Sequence, residues 1–331
     1  MDLVGRRSIR SSTTTLAGMV SSHHSPLVSV VIPTCRGGAW LDEAVRSVLD
    51  QTLGDLEVVV VDDGVLGGVG ALSRLDGRIR VITNPARGAV TARNTGNVAA
   101  RGHLVAQLDD DDRWMPDKLE VQLARLEAAP SAAMCHTQFE IIDEGGVVVG
   151  PGWSGELTVR SAVSGSGGVR HSSTLWRRDL LMALGGYDPG AWPTEDADLF
   201  LRTVELFEVV FCPQVLVQYR MHGGQDSGRQ RYRQVCEAAY RTNRLHEPRL
   251  AAACPGVKPR LVQRSRQEFV KVALDSAIRA ARRSQLREAA GHLAWMLEVA
   301  PVYSVPLLGR RSIDYVGRRV MSRRGSFSTT V

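Results

Sequence analysis

Short, almost unbroken apolar runs punctuate the first third of this chain, each followed by a stretch with helical periodicity. They fall at residues 27–32 (LVSVVI), 56–61 (LEVVVV), 79–82 (IRVI) and 104–108 (LVAQL). Strands that are apolar on both sides need cover above and below, so they belong in a parallel sheet flanked by helices. Helices are expected at 40–49, where Leu41, Val45, Val48 and Leu49 share one side, at 91–100 and at about 116–128. The polar residues cluster where the strands stop: Pro33 and Thr34 after the first, Asp62 and Asp63 after the second. Open sheets of this type bind their ligands at that edge.

The fourth strand ends in the most informative run of the chain, HLVAQLDDDDRW at 103–114. Asp109, Asp110, Asp111 and Asp112 follow one another without a spacer. Adjacent carboxylates repel and gain nothing from burial, so they need a cation or open water. At a strand end, alternate residues such as Asp109 and Asp111 point toward the same crevice. Hard oxygen ligands of this kind suit Mg²⁺ or Mn²⁺. The plain alternative is a solvated acidic loop.

Charge divides the chain unevenly. Residues 228–331 hold 21 Lys/Arg against 7 Asp/Glu, a net of +14, which leaves −8 for the rest of a chain whose total is +6. An acidic region that takes an anionic ligand needs a metal between them. Five scattered cysteines without a C-x-x-C pair point to a reducing compartment and away from a structural zinc site. Residues 292–308 are interrupted by Glu298, Pro301 and Pro306 and are not expected to span a bilayer. The reading is of a cytoplasmic protein.

Three parts are expected. Residues 1–25 are rich in Ser and Thr and should be disordered, with Met19 as a second candidate start. Residues 26–227 form the α/β domain, and 228–331 a basic helical region. Beyond the parallel strands, short strands are expected at 132–135, 139–142 and 147–149, with a turn at Glu144-Gly145-Gly146. Residues 150–168 read as a mobile Gly/Ser loop, 172–176 as a strand and 178–184 as a helix. A further helix begins near Glu195, followed by strands at 209–211 and 215–219.

In order, these segments resemble glycosyltransferase family 2, the nucleotide-sugar enzymes of the GT-A fold. The likeness runs from Pro26 to about Gly224 and rests on seven motifs. They are the opening strand with Pro33-Thr34, then Asp62-Asp63-Gly64, Ala92-Arg93-Asn94-x-Gly96, and the aspartate run with Trp114 and Pro116. Gly185-Gly186-Tyr187-Asp188, Thr194-Glu195-Asp196 and Tyr219-Arg220-x-His222 complete the series. The resemblance implies a mostly parallel Rossmann-like sheet with helices on both faces, to which the basic helical region is a C-terminal extension. It implies a UDP-, dTDP- or GDP-sugar donor, with Asp111 and His222 holding Mn²⁺ or Mg²⁺. Asp109 would orient ribose or sugar. Pro33, Thr34, Asp62, Asp63, Arg93, Asn94 and Asp110 complete the donor side. Asp196 is the expected general base, with Glu195 next in line. Gly186, Tyr187 and Asp188 would line the acceptor side, the acceptor being a glycan or a lipid-linked sugar.

Two departures stand out. Val65 replaces the usual serine after Asp-Asp-Gly, and Cys35-Arg36-Gly37 replaces the commoner Asn/Arg-containing turn. The Q-x-x-R-W motif of processive members is absent, so one sugar is expected per encounter. The tail has two competing uses: docking to an anionic membrane at its inner face, or packing against the catalytic domain. The proposed stripe is Leu286, Leu293, Met296 and Leu297, flanked by Arg279, Arg282, Arg283 and Arg287. Nothing accompanies the arginines that would read nucleic acid.

Rival readings remain at this point. A dinucleotide-binding oxidoreductase would need G-x-G-x-x-G after a strand, but residues 64–70 read G-x-x-G-G-x-G. A metal-dependent phosphohydrolase uses clustered aspartates too. A non-catalytic nucleotide-sugar binding protein on the same fold would not need Asp109, Asp111, Asp196 and His222 together.

Overall fold

A computed structural model of the chain describes residues 25–164, 168–224, 232–283 and 285–299. Of the expected disordered segment only Ser25 falls within these, and the last part of the basic region, 300–331, lies outside them. The first half alternates as expected: β1 (Val28–Thr34), α1 (Ala39–Leu49), β2 (Leu56–Asp62), β3 (Ile79–Thr83), α2 (Ala89–Ala99) and β4 (Leu104–Gln107). Then come β5 (Arg113–Trp114), α3 (Lys118–Ala128), β6 (Ala132–Ile142), β7 (Val148–Pro151), α4 (Val159–Ser164), β8 (Thr174–Arg177), α5 (Arg178–Ala183), α6 (Glu195–Leu206) and β9 (Glu208–Arg220). Helices α7 (Tyr232–Ala253), α8 (Leu261–Arg282) and α9 (Leu286–Val299) close the series.

The strands form one sheet in the order β3-β2-β1-β4-β8-β6-β9-β5, with β7 added to β6. The block β3-β2-β1-β4 is parallel; β8 joins β4 antiparallel, β6 and β9 pair in parallel, and β5 and β7 run antiparallel to their partners. Alternation along each strand feeds two cores. Val28, Val30, Ile32, Val58 and Val60 pack with Leu41, Val45 and Val48 of α1 on one face. Val31, Val59, Val61 and Val105 pack with Val90 and Ala92 of α2 and Leu199 and Phe200 of α6 on the other. Helix α2 lies so close to the sheet that a Cβ on Gly96 would sit 2.2 Å from a Val31 methyl. The glycine of the Arg-Asn-x-Gly motif is therefore a packing requirement.

Three expectations change. Strands β6 and β9 are each continuous, where two short strands were expected, because buried polar residues His136 and Thr137 interrupt the apolar pattern without breaking the pairing. Pro213 and Gln214 form a bulge, Thr137 pairing with Cys212 and Gln138 with Val215. Residues 150–168 hold the end of β7 and helix α4, since Leu157, Ala162 and Val163 find a buried face that the Gly/Ser composition concealed.

Helix α7 docks on α6 through a buried histidine. His246, 1% exposed, faces Asp198 Oδ1 at 3.0 Å through Nε2 and Glu205 Oε1 at 2.6 Å through Nδ1. Arg202 also pairs with Asp198, and Arg249 approaches Glu205. Burial alone would lower the His246 pKa; the two carboxylates outweigh it and raise it. A raised folded-state pKa gives stability that is fully present below the ordinary histidine value of about 6.5 and is lost as pH rises through the folded value. Replacing His246 by Gln should thus lower the melting temperature most near pH 6, with a gap that narrows by pH 9. A gap independent of pH would mean that the ring is held neutral.

Of the proposed C-terminal stripe, Leu286 is exposed and Leu293 half-buried; the side chains of Met296, Leu297 and Arg279 lie outside those described. Arg282, Arg283 and Arg287 are exposed. Among the described residues no helix is long and apolar enough to cross a membrane.

Candidate active site

The C-terminal ends of β1, β2 and β4 open into a cleft of about 580 Å³, walled by Thr34, Asp63, Asp109, Asp110 and Asp111 on the sheet side. Trp192, Glu195, Asp196 and Val235 of α7 line the same cleft. The four aspartates of the run have four different environments. Asp109 accepts from Arg93 Nη2 at 2.7 Å. Burial opposes its ionisation, but Arg93, His171 and Arg36 hold its pKa below the usual carboxylate value. Asp110 accepts from Thr34 Oγ1 at 2.6 Å and Arg36 Nη2 at 2.9 Å; burial and the neighbouring Asp111 still push its pKa up. Asp111 Oδ2 meets His222 Nε2 at 2.8 Å and Arg36 Nη2 at 3.0 Å.

Asp112 turns away from the cleft. It is 1% exposed and accepts from Ser172 Oγ at 2.5 Å and the Arg220 amide at 2.9 Å. Burial first, then repulsion from Asp111 and Asp109, pushes its pKa well up. Its work is structural: it ties the aspartate run to β9 and to the turn His171–Ser173. Arg220, fully buried, donates through Nε to the Asp111 carbonyl at 2.8 Å and through Nη2 to Glu43 at 2.6 Å. That girder fixes β9 against the aspartates and so delivers His222, whose ring also packs on Trp40 at 4.5 Å between centroids.

Arg93 joins the aspartate run to the start of α6. Its Nη2 holds Asp109 and its Nη1 holds Glu195 at 3.1 Å, and the residue is only 8% exposed. Burial and the adjacent Asp196 raise the Glu195 pKa, with Arg93 acting against them. Asp196 lines the cleft beside it, half-buried, with Oδ1 accepting from the Ala197 amide at 2.7 Å.

Several expected site residues support the cleft from behind. Asn94 donates to the Tyr187 carbonyl at 2.7 Å and accepts from the Tyr187 amide at 2.9 Å, clamping the turn at Gly186. Gly186 has φ +68°, and a Cβ there would lie 2.6 Å from Asn94 Oδ1, so no other residue fits. Tyr187 is 1% exposed and packs on His171, while Asp188 is exposed and caps a turn through the Gly190 amide. None of Gly186, Tyr187, Asp188 or Asn94 is among the cleft-lining residues. Asp62 accepts from the Gly64 and Val65 amides, whereas Asp63 lines the cleft and accepts from Asn84 and the Gly88 amide. Pro33 and Thr34 line it as well.

Sequence reading missed Arg36, Arg170, His171 and Ser172. Ser172 looked like the start of a strand, and only the partner 60 residues away reveals its role. His171 lines the cleft with its pKa lowered to about 4, by burial and then by Arg93. Arg170 lies over the rings of Tyr219 and Phe139.

The residues present fit a divalent ion. Asp111 Oδ2 and His222 Nε2 are 2.8 Å apart, near the roughly 3 Å between adjacent ligands on an ion with bonds of about 2.1 Å. No group of three or more His, Cys, Asp or Glu that could hold a metal ion occurs among the described residues. Among the described residues, Asp111 and His222 are the carboxylate and imidazole that would hold such an ion, with a phosphate ligand able to supply further oxygens.

Comparison with known proteins bears on the fold and the family domain. Residues 29–171 match the family described as Glycosyl transferase family 2. The putative teichuronic acid biosynthesis glycosyltransferase TuaG of Bacillus subtilis is 40% identical over 103 residues, 30% of this chain and 41% of that protein. The chain spans about a fifth of the length of the longer curated relatives it matches. Among solved structures, the mannosyltransferase PcManGT from Pyrobaculum calidifontis, in complex with GDP-Man and Mn²⁺, superposes with a TM-score of 0.52 at 18% identity. That match covers 91% of this chain and 84% of the neighbour. S. aureus TarS 1-349 in complex with UDP-GlcNAc gives 0.51 at 14% identity, covering 83% and 91% respectively. With sheet order, motif order and family match in agreement, residues 29–171 carry a glycosyltransferase family 2 domain and the chain has the GT-A fold.

Proposed function

We propose that this protein is a non-processive, inverting glycosyltransferase that moves one sugar from a nucleoside-diphosphate sugar to a hydroxyl acceptor. The observation that carries the reading is the Arg93 bridge between Asp109 and Glu195, which ties the acidic strand end to the Glu195-Asp196 pair in one cleft. A donor seated against Asp63, Asp109 and Asp110 presents its anomeric carbon to the space that Asp196 borders. Asp196 takes the proton from the attacking hydroxyl, and attack opposite the leaving nucleotide inverts the carbon. Glu195, held by Arg93, positions the helix start and does not compete for that proton. Mn²⁺ or Mg²⁺ at Asp111 and His222 would act as a Lewis acid on the diphosphate leaving group.

UDP-, dTDP- and GDP-sugars are the candidate donors, in keeping with the UDP-GlcNAc and GDP-Man held by the TarS and PcManGT structures. A glycan or lipid-linked acceptor of cell-envelope polysaccharide synthesis fits the likeness to TuaG. The exposed Arg282, Arg283 and Arg287 suit a cytoplasmic protein lying at an anionic inner membrane face. Product analysis tests the reaction class. Incubation of full-length protein with nucleotide sugars and Mn²⁺, with and without a glycan acceptor pool, should release intact nucleoside diphosphate and no inorganic phosphate. Phosphate, or nucleoside monophosphate with sugar phosphate, would assign the cleft to a phosphohydrolase.

A further inference from the structure

The turn after β1 puts a permanent cation where the divalent ion is expected. Thr34 Oγ1 donates to Asp110 and accepts from the Gly37 amide at 3.1 Å, so the turn carrying Arg36 is anchored on the acidic run itself. From there one guanidinium nitrogen reaches both Asp110 Oδ1 (2.9 Å) and Asp111 Oδ2 (3.0 Å), and Nη1 lies 3.4 Å from His222 Nε2. Asp111 Oδ2 thus already serves Arg36 and His222 together. An ion bound at that oxygen would sit beside a fixed positive charge and would need electron pairs that the guanidinium occupies. The Arg36 side chain is 38% exposed, so it has room to leave.

We propose that Arg36 is a built-in counter-cation that competes with the divalent ion for Asp111, so that the ion enters tightly only with a diphosphate that takes over the guanidinium. The inference rests on the nucleotide-sugar reading above and deepens it: ion and donor bind as a coupled pair. Coupling of this sort is a ratio of affinities, the same whichever ligand is added first. Arginine suits the exchange because its planar fork pairs with carboxylate and phosphate alike.

The test is Mn²⁺ binding to the full-length chain, read from the loss of the free-ion electron paramagnetic resonance signal, without nucleotide and with UDP or GDP. Without nucleotide, R36Q should bind Mn²⁺ about 10-fold more tightly than the wild type, within the usual span of coupling factors. R36Q/D111N should lose that gain. R170Q, an equal change of charge in the same cleft, should stay within about 2-fold of the wild type. UDP or GDP should tighten Mn²⁺ binding less in R36Q than in the wild type. Wild-type affinity in R36Q without nucleotide would overturn the proposal. So would a gain that survives in R36Q/D111N, which would be long-range charge and not competition at Asp111. If the wild type takes up no Mn²⁺ even with UDP or GDP, the metal-dependent nucleotide reading falls and this inference falls with it.

Discussion

Replacing Asp196 by Asn is expected to lower sugar transfer by about 10²–10⁴-fold, the usual worth of a positioned general base. Nucleotide affinity should change little, because the proposed donor seat is Asp63, Asp109 and Asp110 and does not include Asp196. Asparagine keeps the side-chain oxygen that accepts from the Ala197 amide at the start of α6, so the helix start is preserved and only proton acceptance is lost. The comparison with Glu195 is informative. Glu195 is 6% exposed and committed to Arg93 at 3.1 Å. Glu195→Gln should act chiefly on stability, since it breaks a buried ion pair and leaves Arg93 with Asp109 alone. The expected split is therefore a fall in kcat for Asp196→Asn and a fall in melting temperature for Glu195→Gln. Near-full turnover in Asp196→Asn would move the base to Glu195.

The parallel half of the fold was legible because its strands are buried on both faces, and such strands write themselves as continuous apolar runs. Val28, Val30 and Ile32 face one core while Val31 faces the other, so no residue of the run can be polar without cost, apart from Ser29, which pairs with Glu57 at 2.7 Å. Helix α4 was not legible, since its few apolar residues sit among Gly and Ser and gain meaning only from the surface they meet. The two-residue strand β5 is too short to carry a pattern, yet it is where Arg113 and Trp114 pair with Gln218 and Val217 of β9.

The cleft shows the same division. Motif order alone suggested that Asp111 and His222 belong together across 111 residues, and the structure places them 2.8 Å apart. The supporting parts carry no local mark. Arg220 looks like an ordinary arginine at the end of a strand, but it is fully buried and braces the Asp111 backbone. Asn94 and Tyr187 look like ligand contacts, yet the Asn94 side chain binds the Tyr187 backbone, and neither residue lines the cleft. Chemistry-bearing residue types were visible in the sequence; which of them face the cleft depends on packing between distant segments.

Metal-dependent recognition of a nucleoside diphosphate is the centre of this account, and one titration reaches it directly. UDP, GDP, dTDP and CMP are each titrated into full-length protein by calorimetry, in Mn²⁺ and in EDTA, with the wild type and Asp111→Ala. One nucleoside diphosphate should bind the wild type at least about 10²-fold more tightly in Mn²⁺ than in EDTA, as a Lewis-acid contact worth several kcal/mol requires. Asp111→Ala should remove that difference, and the same nucleotide at about 100 times its Kd should raise the wild-type stability by about 2.7 kcal/mol. Equal affinity in Mn²⁺ and EDTA, or binding by none of the four nucleotides, would contradict the account.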